Sequence, residues 1–249
     1  MLKNIPKFVN GNTLKLIAII SMILDHVAVC LIPTIAAVAE EGSFLSNSSV
    51  VFTIIDTQRA FGRLAFPLFL FLLLEGLEHT KDIKKYAARL LVFALISEIP
   101  FDYAVYGEIF HWGKQNVMFT LFLSLITIAG IDNVLTIFSE DKTKRVMLSL
   151  SIMMFSVFAA YFIKCDYGYI GVGAAIAMYF FKSDKIKSIF AGSIILMLGF
   201  SSEITAIFSV IPVLFYNGKR GSDSKILKYA FYVFYPLHLL IIIGIKSLF

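Results

Sequence analysis

Long apolar segments, separated by short polar ones, follow one another along the whole chain. A transmembrane helix needs about 20 mostly apolar residues. The seventh and eighth segments are short, with only Ser201-Ser202-Glu203 between them, so they form either a tight hairpin or one long broken helix. Pro67 predicts a kink in the second segment. The nine segments lie near residues 14–38, 52–78, 86–106, 117–138, 146–163, 168–181, 188–201, 203–216 and 229–246.

This pattern predicts an all-α, polytopic bundle of about nine transmembrane helices in the lipid bilayer. Of the 249 residues, 59% are hydrophobic and 16% are charged, whereas soluble domains carry about 25% charged residues. A soluble core of this length could not bury so much apolar surface. We therefore expect residues 1–249 to form a single transmembrane domain.

The basic residues are concentrated in the N-terminal segment and in every second loop. Cytoplasmic loops carry an excess of Lys and Arg, so we expect the N-terminus in the cytoplasm and the protein in the inner membrane of a bacterium. Topology also explains the net charge of +5, and no nucleic-acid partner is expected. The basic residues assigned to the inner side are Lys3, Lys7, Lys15, Lys81, Lys84, Lys85, Arg89, Lys142, Lys144, Arg145, Lys182, Lys185, Lys187, Lys219, Arg220, Lys225 and Lys228.

Ionisable residues lie at similar depth in four of the predicted spans. His26, Glu98 and His238 follow the inner ends of their spans by nine to eleven residues, which is about 14 to 16 Å at 1.5 Å per residue. Arg63 approaches the same layer from the outer end of the second span. Such residues are costly in a membrane and mark function, so we predict a shared polar cavity.

His26 is the candidate general base, because a neutral imidazole can take a proton near pH 7. Either Asp25 or Glu98 would fix its tautomer. Adjacent helical residues point about 100° apart, so a purely structural role for the Asp25–His26 step remains open. Arg63 either pairs with one of these carboxylates or binds an anionic group. His238 is equally compatible with a core position and with the site.

Four further polar residues are assigned to substrate binding. Glu75 faces an inner vestibule. Glu98 and Asp102 flank Pro100 in a predicted broken helix end that lines the outer mouth. Asn116 either caps the fourth span, the interpretation we favour, or contacts substrate.

Several common site motifs are missing from the sequence. It contains no G-x-x-x-x-G-K-[ST], no G-x-G-x-x-G, no H-E-x-x-H and no cysteine cluster. Nucleotide hydrolysis, dinucleotide chemistry and zinc-finger-like sites therefore find no support. No ligand spacing argues for a histidine–carboxylate metal site either, so no metal is predicted.

Six stretches in the same order resemble the TraX family, membrane proteins named for the conjugation-pilin acetylase. The resemblance covers nearly the whole chain. The stretches are LKLIAIISMILDH at 14–26, GRLAFPLFLFLLLEG at 62–76, HTKDIKKYAARL at 79–90, ISEIPFDYAVYG at 96–107, WGKQNVMFTL at 112–121 and FYVFYPLHLL at 231–240.

The first span also resembles the wider acyltransferase-3 superfamily, in which a basic residue precedes a histidine by ten intervening residues. Lys15 and His26 have this spacing, although arginine is usual at the first position. The resemblance implies acyl transfer from cytoplasmic acyl-CoA to an acceptor at or beyond the outer face, with His26 as base. Lys15, Arg63 and Asn116 are candidates for binding CoA or stabilising the oxyanion.

We therefore expect an O- or N-acetyltransferase that uses acetyl-CoA. The acceptor remains open: a peptide N-terminus, a glycan or another small molecule. A proton-coupled transporter that uses the same histidines and carboxylates is the alternative, and a non-catalytic assembly factor is a third possibility.

Overall fold

The computed structural model describes residues 5–222 and 224–249, so the predicted inner-side residue Lys3 lies outside them. The described residues are mainly helical, with two isolated β-bridges. Their α-helices are α1 Gly11–His26, α2 Ile32–Ala37, α3 Ser48–Gly62, α4 Ala65–His79, α5 Ile83–Tyr106, α6 Val117–Ile137, α7 Lys142–Ile163, α8 Gly168–Phe180, α9 Lys185–Gly199, α10 Val210–Leu214 and α11 Lys225–Lys246.

Five helical segments of the described chain are long and apolar enough to cross a membrane, which makes this an all-helical membrane protein. The predicted count of nine spans remains a prediction, because α8 has 13 residues, α9 has 15, and α5 carries several charged side chains. The five segments are Gly11–Ala37, Ser48–His79, Val117–Ile137, Lys142–Ile163 and Tyr229–Lys246.

An Asn or Asp side chain begins most of the longer helices. Each accepts a hydrogen bond from a backbone N–H of the first turn, which would otherwise lack a partner. Asn116 caps α6 in this way, so the capping interpretation of this residue is confirmed. The capping residues are Asn10, Asn47, Asp82, Asn116, Asp141 and Asp184.

Two of the predicted spans are interrupted close to the polar residues. A π-helical turn, Val27–Leu31, follows directly after His26, and such turns often accompany functional sites. The second span breaks between α3 and α4, at Arg63 and Leu64. Pro67 lies in the first turn of α4, where helices tolerate proline, so the break precedes the predicted kink.

The predicted helix break near Pro100 is wrong. Helix α5 contains Pro100 and continues to Tyr106, where Gly107 ends it in the left-handed conformation with φ of 74°. Glu98 and Asp102 therefore lie one turn apart on a continuous helix. They do not form an open helix end.

The seventh and eighth apolar segments form the tight hairpin. Helix α9 ends at Gly199, and a 3-10 helix, Ser201–Ser209, packs back against it and leads into α10. This return buries Glu203, which is 1% exposed.

Helices α4 and α6 lie in the core of the molecule, where Leu68, Leu70, Leu125 and Ile128 are fully buried. Helix α7 lies at the periphery and exposes large apolar side chains, which mark a lipid-facing surface. These are Met147, Met154, Phe155, Phe158 and Phe162.

Candidate functional site

His26 and His238, which are 212 residues apart in sequence, form a direct side-chain contact. His26 is the last residue of α1, and His238 lies in α11. Nδ1 of His26 and Nε2 of His238 are 2.9 Å apart. The similar depth predicted for these two residues agrees with the hydrogen bond between their rings.

The backbone determines which ring nitrogens of this pair carry protons. His238 Nδ1 lies 3.0 Å from the carbonyl oxygen of Phe234, which can only accept, so this nitrogen is the donor. In a neutral His238, Nε2 is then the acceptor, and His26 Nδ1 must donate to it. Nε2 of a neutral His26 consequently keeps its lone pair.

Aromatic packing fixes the position of His238. Its ring stacks on Phe234 at 5.3 Å with an interplanar angle of 3°, and the Tyr235 ring lies 5.5 Å away. The residue is 4% exposed. His238 is therefore a rigid, buried acceptor for His26.

Asp25 belongs to a separate ionic chain of alternating charge. Arg63 binds the Asp25 carboxylate through one terminal nitrogen and Glu203 Oε1 at 2.7 Å through the other. Arg59 Nε lies 3.8 Å from the same Asp25 oxygen. A Cβ on Gly62 would lie 2.6 Å from the Asp25 Cβ, so only glycine permits this approach of α3 to α1.

The predicted orientation of His26 by Asp25 or Glu98 differs from the observed geometry. Among residues 5–222 and 224–249, the hydrogen-bond partner of the His26 ring is His238, and neither carboxylate binds it. The cause is the helical step of about 100° between neighbours: Asp25 faces α3, whereas His26 faces α11. Pairing of Arg63 with Asp25 is confirmed, and pairing of Arg63 with Glu98 is wrong.

Glu98, Asp102 and Asn116 form a third cluster that fastens the 107–116 loop to α5. The Asn116 side-chain amide binds Glu98 and donates to the Ala94 carbonyl at 2.8 Å. The backbone N–H of His111 donates to Asp102 Oδ2 at 2.8 Å. The polar residues predicted to share one cavity are thus divided among three clusters.

A cavity of about 370 Å³ opens at the Lys15 end of α1. We call it the basic cavity, lined by Lys15, Glu75, Lys81, Arg89 and Arg220. Its carboxylate, Glu75, accepts from Lys185 Nζ at 2.8 Å and from the Tyr216 hydroxyl at 2.7 Å. The described part of the lining therefore has a surplus of positive charge.

Backbone pairing holds Arg220 at this cavity. The N–H of Gly11 donates to the Lys219 carbonyl at 2.8 Å, and that of Asn12 donates to the Arg220 carbonyl at 3.0 Å. A Cβ on Gly11 would lie 3.1 Å from the Arg220 carbonyl oxygen. The start of α1 and the segment before α11 thus form one wall.

A second cavity, of about 340 Å³, is lined by Arg59, Arg63, Lys114, Asp166, Tyr167 and Glu203, and we call it the paired-charge cavity. Lys114 Nζ lies 2.6 Å from Asp166 Oδ1. Burial disfavours the charged form of Lys114, but the negative charge and hydrogen bond of Asp166 outweigh burial and raise its pKa.

Tyr167 is held in this cavity by an unusual backbone. Its φ of 59° is left-handed, a conformation that bulky residues rarely adopt. The ring stacks on Phe66 at 3.8 Å with an interplanar angle of 8°. Strained residues of this kind concentrate at functional sites.

Sequence reasoning missed Glu203, Asp166, Lys114 and Tyr167. Glu203 was assigned to the turn between two spans, and the other three lie in short loops. The sequence signal for a further carboxylate was Arg63, because a buried guanidinium needs more than one hydrogen-bond acceptor.

The sequence profile described as TraX protein matches residues 10–246. This chain belongs to the TraX family. The match includes both histidines and the residues of both cavities. The chain is also similar to the probable fimbrial assembly protein FimC, serogroup H1, of Dichelobacter nodosus, with 30% identity over 261 aligned positions, gaps included, that cover 94% of each chain. No solved structure matches it.

Proposed function

We propose that this TraX protein is a membrane-embedded acetyltransferase that moves an acetyl group from acetyl-CoA to a hydroxyl or amine, with His26 as general base. The observation that supports this most is the chain from the Phe234 carbonyl through His238 to His26. It leaves Nε2 of His26 able to accept a proton.

In the proposed reaction, His26 Nε2 removes the proton from the acceptor as its oxygen or nitrogen attacks the thioester carbonyl. The tetrahedral intermediate then expels the CoA thiolate, which takes up the proton. While His26 is protonated, its Nδ1–H donates to the His238 lone pair, which stabilises the imidazolium. Asp25 lies about 100° around α1 from His26, and it acts by anchoring the helix to Arg63.

The basic cavity is the proposed site for the phosphates of acetyl-CoA. Lys15, Lys81, Arg89 and Arg220 supply positive charge there, and Lys binds phosphate as a point charge while Arg binds in a bidentate manner. The thioester would supply the activated acetyl group. Asn116 is left out of the donor site because its amide is engaged by Glu98 and Ala94.

The proposed orientation in the bacterial cytoplasmic membrane places the basic cavity toward the cytoplasm, following the positive-inside rule. The paired-charge cavity would then open toward the outer face. The fimbrial assembly relative makes a peptide N-terminal amine the first acceptor to test.

A proton-coupled transporter is the second candidate. It draws support from three buried carboxylate oxygens of the described chain that have no hydrogen-bond partner, Glu98 Oε1, Asp102 Oδ1 and Glu203 Oε2. Ionisable groups in a membrane can form proton relays.

The test compares the parent protein with His26→Gln in membranes supplied with radiolabelled acetyl-CoA. We expect acetyl transfer to fall by about 10²- to 10⁴-fold, the usual contribution of a general base. Arg145→Gln, on the first turn of α7, is the matched control. Full activity of His26→Gln would refute the mechanism. Proton-coupled uptake by proteoliposomes without acetyl transfer would favour the transporter. If the protein shows neither uptake nor acetyl transfer, the result would favour an assembly factor.

A further inference from the structure

Arg59 differs from the other cations of the paired-charge cavity in how it is neutralised. Arg63 binds two carboxylates, and Lys114 binds Asp166 at 2.6 Å. Arg59 approaches Asp25 only through Nε, at 3.8 Å, and the oxygen it approaches is already bound by Arg63. Its side chain is 42% exposed. This guanidinium is therefore the cavity cation best able to accept another anion.

The position of Arg59 relates this anion site to the proposed base. Arg59 and Arg63 lie one turn apart at the end of α3, and both approach Asp25. Asp25 precedes His26 on α1. A group bound to Arg59 would thus be held beside the segment that carries His26.

We propose that Arg59 binds an oxyanion, a carboxylate or phosphate carried by the acceptor a few bonds from its nucleophile. This assignment rests on the proposed function. The two terminal nitrogens of a guanidinium match the two oxygens of such a group. Arg63 and Lys114, the other cations named in the cavity lining, are already engaged by carboxylates of the protein, which leaves the Arg59 side for the oxyanion. Acceptors that lack the oxyanion bind more weakly.

The test measures ligand binding without acetyl-CoA, so its result does not depend on acetyl transfer. The full chain is placed in phosphatidylcholine nanodiscs, and its thermal stability is followed while matched probes are added. One pair is Ala-Gln-amide and Ala-Glu-amide, which differ by a carboxylate. The other is ethanolamine and O-phosphoethanolamine, which differ by a phosphate.

We expect one or both anionic probes to bind the parent about tenfold more tightly than their neutral partners. That factor corresponds to one charge-assisted contact of about 1.4 kcal/mol. Arg59→Gln should remove the preference for the anionic probes. Arg59→Lys should retain part of it, because lysine keeps the positive charge but lacks the two parallel N–H donors of a guanidinium. Arg145→Gln, outside both cavities, should keep it. The melting temperature without probe establishes that each variant is folded.

Equal binding of both members of each pair by the parent would overturn the proposal, as would an undiminished preference in folded Arg59→Gln. Phosphatidylglycerol is then added to the nanodiscs. If it displaces the anionic probes from the parent but not from Arg59→Gln, a lipid phosphate occupies the site and the acceptor assignment is overturned. If it has no such effect, the assignment is supported. A result with intact binding but no acetyl transfer would count against the proposed function alone.

Discussion

The two cavities are of similar size, about 370 and 340 Å³, but they differ in how the charges of their lining side chains are balanced. Among the described residues, the lining of the basic cavity has four cationic side chains and one carboxylate, Glu75, which is already bound by Lys185 and Tyr216. In the paired-charge cavity, Arg63 and Lys114 each bind a carboxylate of the protein. A surplus of positive charge suits a polyanion, whereas pairing avoids the cost of isolated charge in a membrane.

Replacing Arg63 by Leu should give the largest effect, because it leaves Asp25 and Glu203 without their shared partner. Removing one partner of a buried ion pair costs about 3 to 5 kcal/mol. Thermal unfolding of the purified protein measures the loss. Lys81→Leu, which removes a cation from the basic cavity, is the control and should change stability little. Equal stability of Arg63→Leu and Lys81→Leu would contradict the inference that ion pairing stabilises the fold at the paired-charge cavity and not at the basic cavity.

Replacing His238 by Leu tests the histidine pair, which belongs to neither cavity lining. The variant removes the acceptor for His26 Nδ1–H, so the imidazole is no longer held in one tautomer. We expect kcat to fall by about 10²-fold, with the KM for acetyl-CoA unchanged. His238→Gln should recover activity, because its amide oxygen can accept the same hydrogen bond. Equal kcat values for the Leu and Gln variants would argue against a positioning role.

The sequence predicts positions along the helices better than it predicts which way side chains face. The rise per residue placed His26 and His238 at one depth, and their rings are in contact. The same reasoning placed Glu98 at that depth, yet it binds Asn116. The direction around each helix axis depends on packing between helices, which local spacing does not contain.

Glu203 illustrates a second limit. Glu203 ends the polar stretch Ser201-Ser202-Glu203 between two short apolar segments, and such a stretch resembles a turn. Hydropathy gives no sign that a 3-10 helix returns this residue to the interior. Only the tertiary contact with Arg63 accounts for a buried carboxylate there. The helical membrane fold, in contrast, follows directly from composition and from the long apolar segments.

Gly62→Ala should disturb the paired-charge cavity by overpacking. The new Cβ would lie 2.6 Å from the Asp25 Cβ, so α1 and α3 must separate. Overpacking of this kind costs about 1 to 3 kcal/mol, measured by thermal unfolding. Gly130→Ala is the control, because its Cβ would contact Ile152 at 3.4 Å. If Gly62→Ala and Gly130→Ala are equally stable, the close approach of Gly62 to Asp25 does not contribute to the stability of the fold.

Lys81→Gln should weaken the binding of acetyl-CoA in the basic cavity without unfolding the protein. Removal of one exposed cation should raise the KM for acetyl-CoA about fivefold, equivalent to about 1 kcal/mol. The increase should shrink at high salt, since salt screens exposed charges. Binding of the acceptor probes should not change. A KM that is independent of both Lys81 and salt would remove the basic cavity from the donor site.

The smallest effect is expected from Asp82, which caps α5 and so positions Tyr86 and Arg89 in the basic cavity. A hydrogen bond from the backbone N–H of Lys85, with a further one from its side chain, holds the Asp82 pKa below its usual value. The ionised cap therefore stabilises the fold above the ordinary pKa of about 3.9, and this contribution is lost as pH falls through the lowered folded value. Asp82→Ala should melt slightly below the parent at pH 7, and the difference should disappear in acid.

Asp141→Ala separates stability from function in this last comparison. Asp141 caps α7 in the same way, its pKa is lowered by the backbone N–H of Lys144, and α7 lines neither cavity. Both variants should lose a similar, small amount of stability at pH 7. Only Asp82→Ala should raise the KM for acetyl-CoA, because α5, unlike α7, carries side chains of the basic cavity. An equal change in KM for both would mean that the cap acts through general stability and not through the cavity wall.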